Sequence, residues 1–234
     1  MKILAVVTAR GGSKRLPGKN IRKLAGRPLV VWSIDIAKNI PDICEILLTT
    51  DDPEIAAIGL EAGATVPWLR PPNLATDSAT SVDVALHALD WYELQKGPVD
   101  GILLLQPTSP FRTRNTLLRG IELFKAGGEQ PVLGVSPNHI HPSRILQIEG
   151  DCLVPFMANR VANENSSNGL QTYAANGSFY LISPTDLRAH RSMVGVKPRP
   201  LLAELPQEAL DIDFEWDFQM AELIAKNIHE DSSI

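Results

Sequence analysis

The hydrophobic positions of this chain follow two alternating rhythms. Short apolar runs have the length and continuity of strands buried on both faces: Ile3-Leu4-Ala5-Val6-Val7, Ile46-Leu47-Leu48-Thr49-Thr50, Ile102-Leu103-Leu104-Leu105 and Pro131-Val132-Leu133-Gly134-Val135. Between them, apolar residues recur at helical spacing. Pro28 to Lys38 carries Val30, Ile34 and Ala37 on one face, with Pro28 in the first turn. Pro53 to Ala62 is stopped by Gly63. Ser81 is placed to cap a helix that turns Val82, Ala85, Leu86 and Leu89 inward, and Thr113 or Asn115 opens the next. This alternation predicts an α/β fold: a Rossmann-like, mostly parallel sheet with helices on both faces. Ile102 to Leu105, the most apolar run, is expected at its centre.

The rhythm breaks from Ser136 to about Ala175. Pro137, Pro142 and Pro155 interrupt it, Gly150-Asp151 reads as a hairpin tip, and Asn163 to Asn168 reads as a polar loop. Residues 137–175 are therefore expected to form a small excursion from a single domain spanning 1–234, an arm that contacts another subunit. Ser178 to Ile182 resumes as a strand. A last helix from Phe214 places Phe218, Ala221, Ala225 and Ile228 on one face, and the tail Asp231 to Ile234 is expected to fray.

Composition narrows the function classes. Hydrophobic residues at 44% and charged residues at 21% suit a soluble globular protein. The net charge of −5 argues against nucleic acid as a partner. Cys44 and Cys152 have no zinc-ligand spacing and predict buried thiols in a reducing cytoplasm. No run reaches membrane-spanning length, and Met1-Lys2 leads directly into a strand, so the expectation is a cytoplasmic protein without a signal peptide or membrane partner.

Against this acidic background, residues 9–20 (Ala-Arg-Gly-Gly-Ser-Lys-Arg-Leu-Pro-Gly-Lys-Asn) carry four cations, Arg10, Lys14, Arg15 and Lys19, and no carboxylate. Glycine lets backbone N–H groups approach an anion, and ligands on such sheets bind outside the carboxyl ends of the strands. The loop thus reads as a nucleotide triphosphate site; the alternative is a solvated basic loop. It is not the kinase phosphate loop, because Ser13 stands where the first glycine belongs and Asn20 follows Lys19 in place of a hydroxyl. Nor is it a dinucleotide fingerprint, because Gly11 and Gly12 are adjacent. Asp51-Asp52 and Gln106-Pro107-Thr108-Ser109-Pro110 also follow strands and are expected at the same end of the sheet.

Asp211-Ile212-Asp213 is the second informative segment. In extended backbone, residues two apart point the same way, so both carboxylates can meet one hard cation while Ile212 enters the core. The plainer alternative makes Asp213 a helix cap. The five histidines show no metal spacing, His139 and His141 reading as loop residues and His87 as part of a helix. Trp32, Trp68, Trp91 and Trp216 read as packing residues. Ser109 has no evident His/Asp partner, which sets aside a hydrolase.

The loop Ala-Arg-Gly-Gly-Ser-Lys-x-x-Pro-x-Lys-Asn resembles the signature of the acylneuraminate cytidylyltransferases, the CMP-sialic acid synthetases. Further matches follow in order over essentially the whole chain: Leu69-Arg70-Pro71 with Leu74-Ala75-x-Asp77, then Leu105 to Pro110 with Arg112-Thr113, Asn176-Gly177 before an aromatic strand, and Asp211-Ile212-Asp213 with Asp217-Phe218. The resemblance implies the nucleotide-diphospho-sugar transferase type of α/β fold and transfer of CMP from CTP to a nonulosonic acid. It implies that Arg10, Ser13, Lys19 and Asn20 hold CTP, with Arg70, Asp77 and Ser81 near its base and ribose. Gln106, Arg144 and Asn176 would lie by the sugar, and Asp211 and Asp213 would bind Mg2+ or Mn2+. Arg10, Lys19 and Asp211 would serve catalysis, and residues 137–175 a homodimer contact that can send residues into the neighbouring sugar site. Three departures leave the acceptor open among neuraminate, legionaminate and pseudaminate: Arg144 in place of a lysine, the bulky Gly177-Ser178-Phe179-Tyr180, and an unmatched stretch from Ala158 to Thr172. The alternatives are a 3-deoxy-octulosonate-type cytidylyltransferase, whose loop usually lacks both Gly-Gly-Ser-Lys and Lys-Asn, or a catalytically silent nucleotide-binding module.

Overall fold

A computed structural model describes residues 1–138, 140, 144–156 and 171–231. The expectations for His139, His141, Asn163 to Asn168 and the tail from Ser232 lie outside these residues.

The chain begins with β1 (Ile3–Thr8), then a small two-stranded turn, β2 (Lys23–Leu24) and β3 (Arg27–Pro28), and α1 (Leu29–Ala37). There follow β4 (Ile43–Thr49), α2 (Pro53–Glu61), α3 (Ser81–Lys96), β5 (Gly101–Leu105), α4 (Arg114–Ala126) and β6 (Val132–Asn138). A hairpin of β7 (Leu146–Glu149) and β8 (Cys152–Pro155) precedes β9 (Thr172–Ile182), α5 (Pro184–His190), β10 (Arg199–Leu202) and α6 (Glu215–Asp231). The main sheet has six strands in the order β10-β6-β9-β5-β1-β4. β1 runs parallel to β4 and β5, and β10 to β6, whereas β9 is antiparallel to both of its neighbours.

Alternation along β1 explains the layers. Ile3, Ala5 and Val7 face one cluster with α1, α2 and α4, while Leu4 and Val6 face the other with α3 and α5. Burying both faces requires the continuous apolar runs seen in β1 and β5. A third cluster is separate from the sheet. Leu16, Leu24, Leu29 and Phe111 pack with Ile212, Phe218, Ala221 and Ala225, tying the cationic loop to the segment before α6 and to α6 itself.

Several expectations are corrected. Thr80, not Ser81, caps α3, because its hydroxyl accepts from the Asp83 amide in a capping box. Pro137 and Asn138 complete β6, and they pair with Thr172 and Tyr173, so the sheet ladder extends into both ends of the expected excursion. The tip at Gly150-Asp151 does join β7 to β8. Both cysteines are exposed, Cys44 in the outer half of the edge strand β4 and Cys152 in the hairpin. Trp216 is 68% exposed, while Trp32, Trp68 and Trp91 do pack against aromatic rings. Ile228 is 39% exposed, unlike its expected companions Phe218, Ala221 and Ala225.

Candidate active site

The carboxyl ends of β1 and β5 open into a cavity of ≈ 590 Å³. Its lining brings together Arg10, Ser13, Lys19, Asn20, Arg70, Asp77, Ser81, Gln106 and Asp213, joined by Lys14, Arg15, Thr76 and Thr108. Residues from four separate stretches of the chain therefore share one space, as the strand-end rule leads one to expect.

The loop after β1 is held from below. Asn20 is buried and donates from Nδ2 to the Arg10 carbonyl at 2.8 Å. The Gly11 amide donates to Asp51 Oδ1 at 3.0 Å, so this N–H anchors the loop and is not offered to an anion. A side chain at Gly11 would collide with Asp52, its Cβ lying 2.6 Å from Oδ2. Asp52 itself caps α2 by accepting from the Glu54 and Ile55 amides. The adjacent acidic pair thus supports the loop and a helix rather than facing the cavity.

The cations of the loop are matched by carboxylates on opposite walls. Arg10 and Lys14 meet Asp77 at 2.8 and 2.5 Å. Lys14 first, and then Arg10, hold the Asp77 carboxyl below its ordinary range. Across the cavity, Arg15 and Lys19 meet Asp213 at 3.1 and 3.0 Å, and Lys19 also donates to the Ile212 carbonyl at 2.8 Å. Arg70 is buried and donates to the side chain and carbonyl of Thr49; burial pulls its guanidinium down to about 10, with Asp51 acting in the opposite direction.

Asp213 is not spent as a helix cap. Asp217 accepts from the Asp213 and Phe214 amides instead, leaving the Asp213 carboxylate to the cations. Ile212 is fully buried and its amide donates to the Thr108 carbonyl at 2.8 Å. Asp211 is not in the cavity lining. It stands beside Gly177, where a Cβ would lie 3.9 Å from its Cγ, and it is the main favourable charge for the buried Arg112. Among the described residues no three His, Cys, Asp or Glu side chains form a metal cluster. Two hard carboxylates on one segment suit a divalent cation that takes its remaining ligands from phosphate and water, and Asp213 already gathers two positive groups.

Two residues expected near the sugar, Asn176 and Arg144, are not part of the cavity lining. Asn176 is buried, its Nδ2 donating to Ser136 at 2.9 Å and its Oδ1 accepting from the Ser178 amide and hydroxyl. It braces the irregularity of β9 at Gly177, where φ is +75° and a residue with a side chain would be strained. Arg144 is exposed at the foot of the β7–β8 hairpin and does not line the cavity. Sequence reasoning missed Arg112. It is 4% exposed and donates to the Ser178 carbonyl, to Ser33 Oγ at 2.9 Å and to the Gln106 carbonyl, with burial pulling it down to about 9. Its position in the Gln106 to Thr113 run was the available signal.

With this geometry in view, comparison with known proteins is informative. A family model described as cytidylyltransferase matches residues 4–224. A CMP-N,N'-diacetyllegionaminic acid synthase of Legionella pneumophila is 37% identical over 95% of each chain. A pseudaminic acid cytidylyltransferase of Campylobacter jejuni is 29% identical over 98% of this chain and 99% of that one. A solved CMP:2-keto-3-deoxy-manno-octonic acid synthetase complexed with CTP superposes with a TM-score of 0.70 over 97% of this chain and 100% of that chain, at 14% identity, which is a likeness of fold. The match runs from the first strand to the last helix and takes in the cationic loop and the acidic segment, and on that basis the chain belongs to the cytidylyltransferase family.

Proposed function

We propose that this protein transfers CMP from CTP to a nonulosonic acid and releases pyrophosphate. The observation that carries the reading is the meeting of the loop cations with Asp213 in one cavity, bridged by Lys19. Arg10, Lys14, Arg15 and Lys19 together offer a triphosphate four positive charges at this one cavity. The full-length similarity to enzymes named for legionaminic and pseudaminic acids supports an acceptor of that class, and the 37% identity makes a legionaminate the first acceptor to try.

The reaction joins the acceptor's anomeric hydroxyl to the α-phosphorus as pyrophosphate leaves, so positioning and charge neutralisation carry most of the catalysis. In this reading Arg10 and Lys19 exchange their carboxylate partners for phosphate oxygens. Ser13 and Asn20 shape the loop around the triphosphate, while Arg70, Asp77 and Ser81 border the nucleoside. Gln106 stands at the acceptor end. Asp211 and Asp213 would hold Mg2+ or Mn2+, which when bound supplies charge neutralisation at the phosphates and acidifies the attacking hydroxyl.

A homodimer fits the β7–β8 hairpin. Leu146 and Ile148 face Pro155 and Leu153 across the register, with Ile148 76% and Leu153 66% exposed. An isolated two-stranded ribbon with an apolar exposed face calls for a covering partner, and a second copy of this chain is proposed. Arg144, at the foot of that ribbon, would then serve the neighbouring subunit's sugar site. No described helix is long and apolar enough to cross a membrane, and the proposed place of work is the cytoplasm.

The test is pyrophosphate release from CTP and Mg2+ with a panel of nonulosonic and octulosonic acids. Release with legionaminate, pseudaminate or neuraminate supports the proposal. Release with octulosonates alone would favour the rival acceptor class, and none with any acceptor would favour a silent binding module.

A further inference from the structure

Ser109 follows directly on Gln106, Pro107 and Thr108 of the cavity lining, and its hydroxyl is unmatched. The residue is 1% exposed, and its Oγ has no hydrogen-bond partner among the described residues. Leaving a buried hydroxyl unmatched costs stability, so the group calls for a use. Its surroundings suggest one. Gly177 presents a bare Cα, and the place where a Cβ would stand is 3.2 Å from Ser109 Oγ and 3.6 Å from Gln106 Oε1. Two oxygens, one of them a donor, thus flank the same small gap, with the carboxylate carbon of Asp211 3.9 Å from it.

The backbone around them is fixed. The Ser109 amide donates to the Gln106 carbonyl at 3.2 Å, and Arg112 donates to the same oxygen. The Gln106 side chain, by contrast, borders the cavity. An amide of this kind can offer either its oxygen or its NH2 to a ligand, and the two choices favour opposite partners.

We propose that Ser109 is a positioning residue for Gln106. Its hydroxyl donates to Gln106 Oε1 once the acceptor enters, which turns Nε2 toward the acceptor and selects a carboxylate-bearing ligand. The proposal rests on the transferase reading above and adds a residue that acts on the acceptor through Gln106.

The experiment compares Ser109→Ala, Gln106→Ala and the double variant by pyrophosphate release, with KM measured separately for CTP and for the acceptor, and with thermal melting of each protein. Ser109→Ala is expected to raise the acceptor KM about tenfold, leave the CTP KM unchanged, and keep or raise Tm. The double variant is expected to be no worse than Gln106→Ala alone, because Ser109 acts only through that amide. An unchanged acceptor KM, a fall in Tm that accounts for the loss, or additive losses in the double variant would each overturn the proposal. Wild-type protein that releases no pyrophosphate with any acceptor would instead remove the transferase reading, and this proposal with it.

Discussion

Lys19 Nζ lies 3.0 Å from Asp213 Oδ1, joining two residues 194 positions apart. Lys19 is 11% exposed in its side chain and Asp213 42%, so the contact is enclosed on the lysine side and open to solvent on the carboxylate side. It is the point at which the N-terminal loop and the late acidic segment become one site.

Lys19→Ala is therefore expected to lower turnover about a hundredfold, the typical cost of removing one electrostatic contact at a reacting phosphate. The fold should survive, because Leu16 still anchors the loop. Pyrophosphate release together with thermal melting checks this; near-normal turnover would contradict it.

Asp77 gives a prediction of the opposite sign. Its carboxylate occupies Arg10 and Lys14, so on the proposed reading phosphate oxygens compete with it for these two cations. Because its pKa is depressed, any stabilisation it gives is present above pH 4 or so and is lost only as pH falls below that value. At neutral pH, salt and not protonation is the lever. Asp77→Asn is expected to bind pyrophosphate more tightly than wild type at low ionic strength, with the difference shrinking as salt is added. Titration calorimetry at two salt concentrations measures it, and weaker binding in the variant would mark Asp77 as a direct nucleotide contact.

Arg112→Met should be strongly destabilising. The guanidinium satisfies two carbonyls and the Ser33 hydroxyl inside the protein, and removing one partner from such a buried network costs about 3 kcal/mol. Urea denaturation reads this directly. Wild-type stability in the variant would show that the contacts are dispensable.

Chelation gives a prediction about the acidic segment. EDTA is expected to abolish turnover, with recovery on adding Mg2+ or Mn2+, and Asp211→Asn should raise the metal concentration needed for half-maximal rate. Turnover that persists in EDTA would remove the metal role of Asp211 and Asp213.

Much of this was legible in the chain. Strands buried on both faces announce themselves as unbroken apolar runs, and the strand-end rule then gathers the Arg10 loop, Asp51-Asp52 and Gln106, whereas Arg70 entered only through the family resemblance. β10 was not legible: Arg199-Pro-Leu-Leu is short, carries proline and lies at the sheet edge, where pairing with β6 and not local pattern makes it a strand. α5 spans Pro184–His190 and is too short for a clear period. Asp211 and Asn176 belong to places set by the irregularity of β9, which arises from antiparallel pairing between distant segments. Periodicity carries no record of such pairing.

Leu16 is buried with Ile212 and Phe218, and none of the three lines the cavity. The cationic loop and the acidic segment are thereby mounted on a common oily plug at the root of α6. Changes on the inner face of that last helix should consequently be felt as altered catalysis, and the helix acts as the mechanical base of the site as much as the chain's closing element.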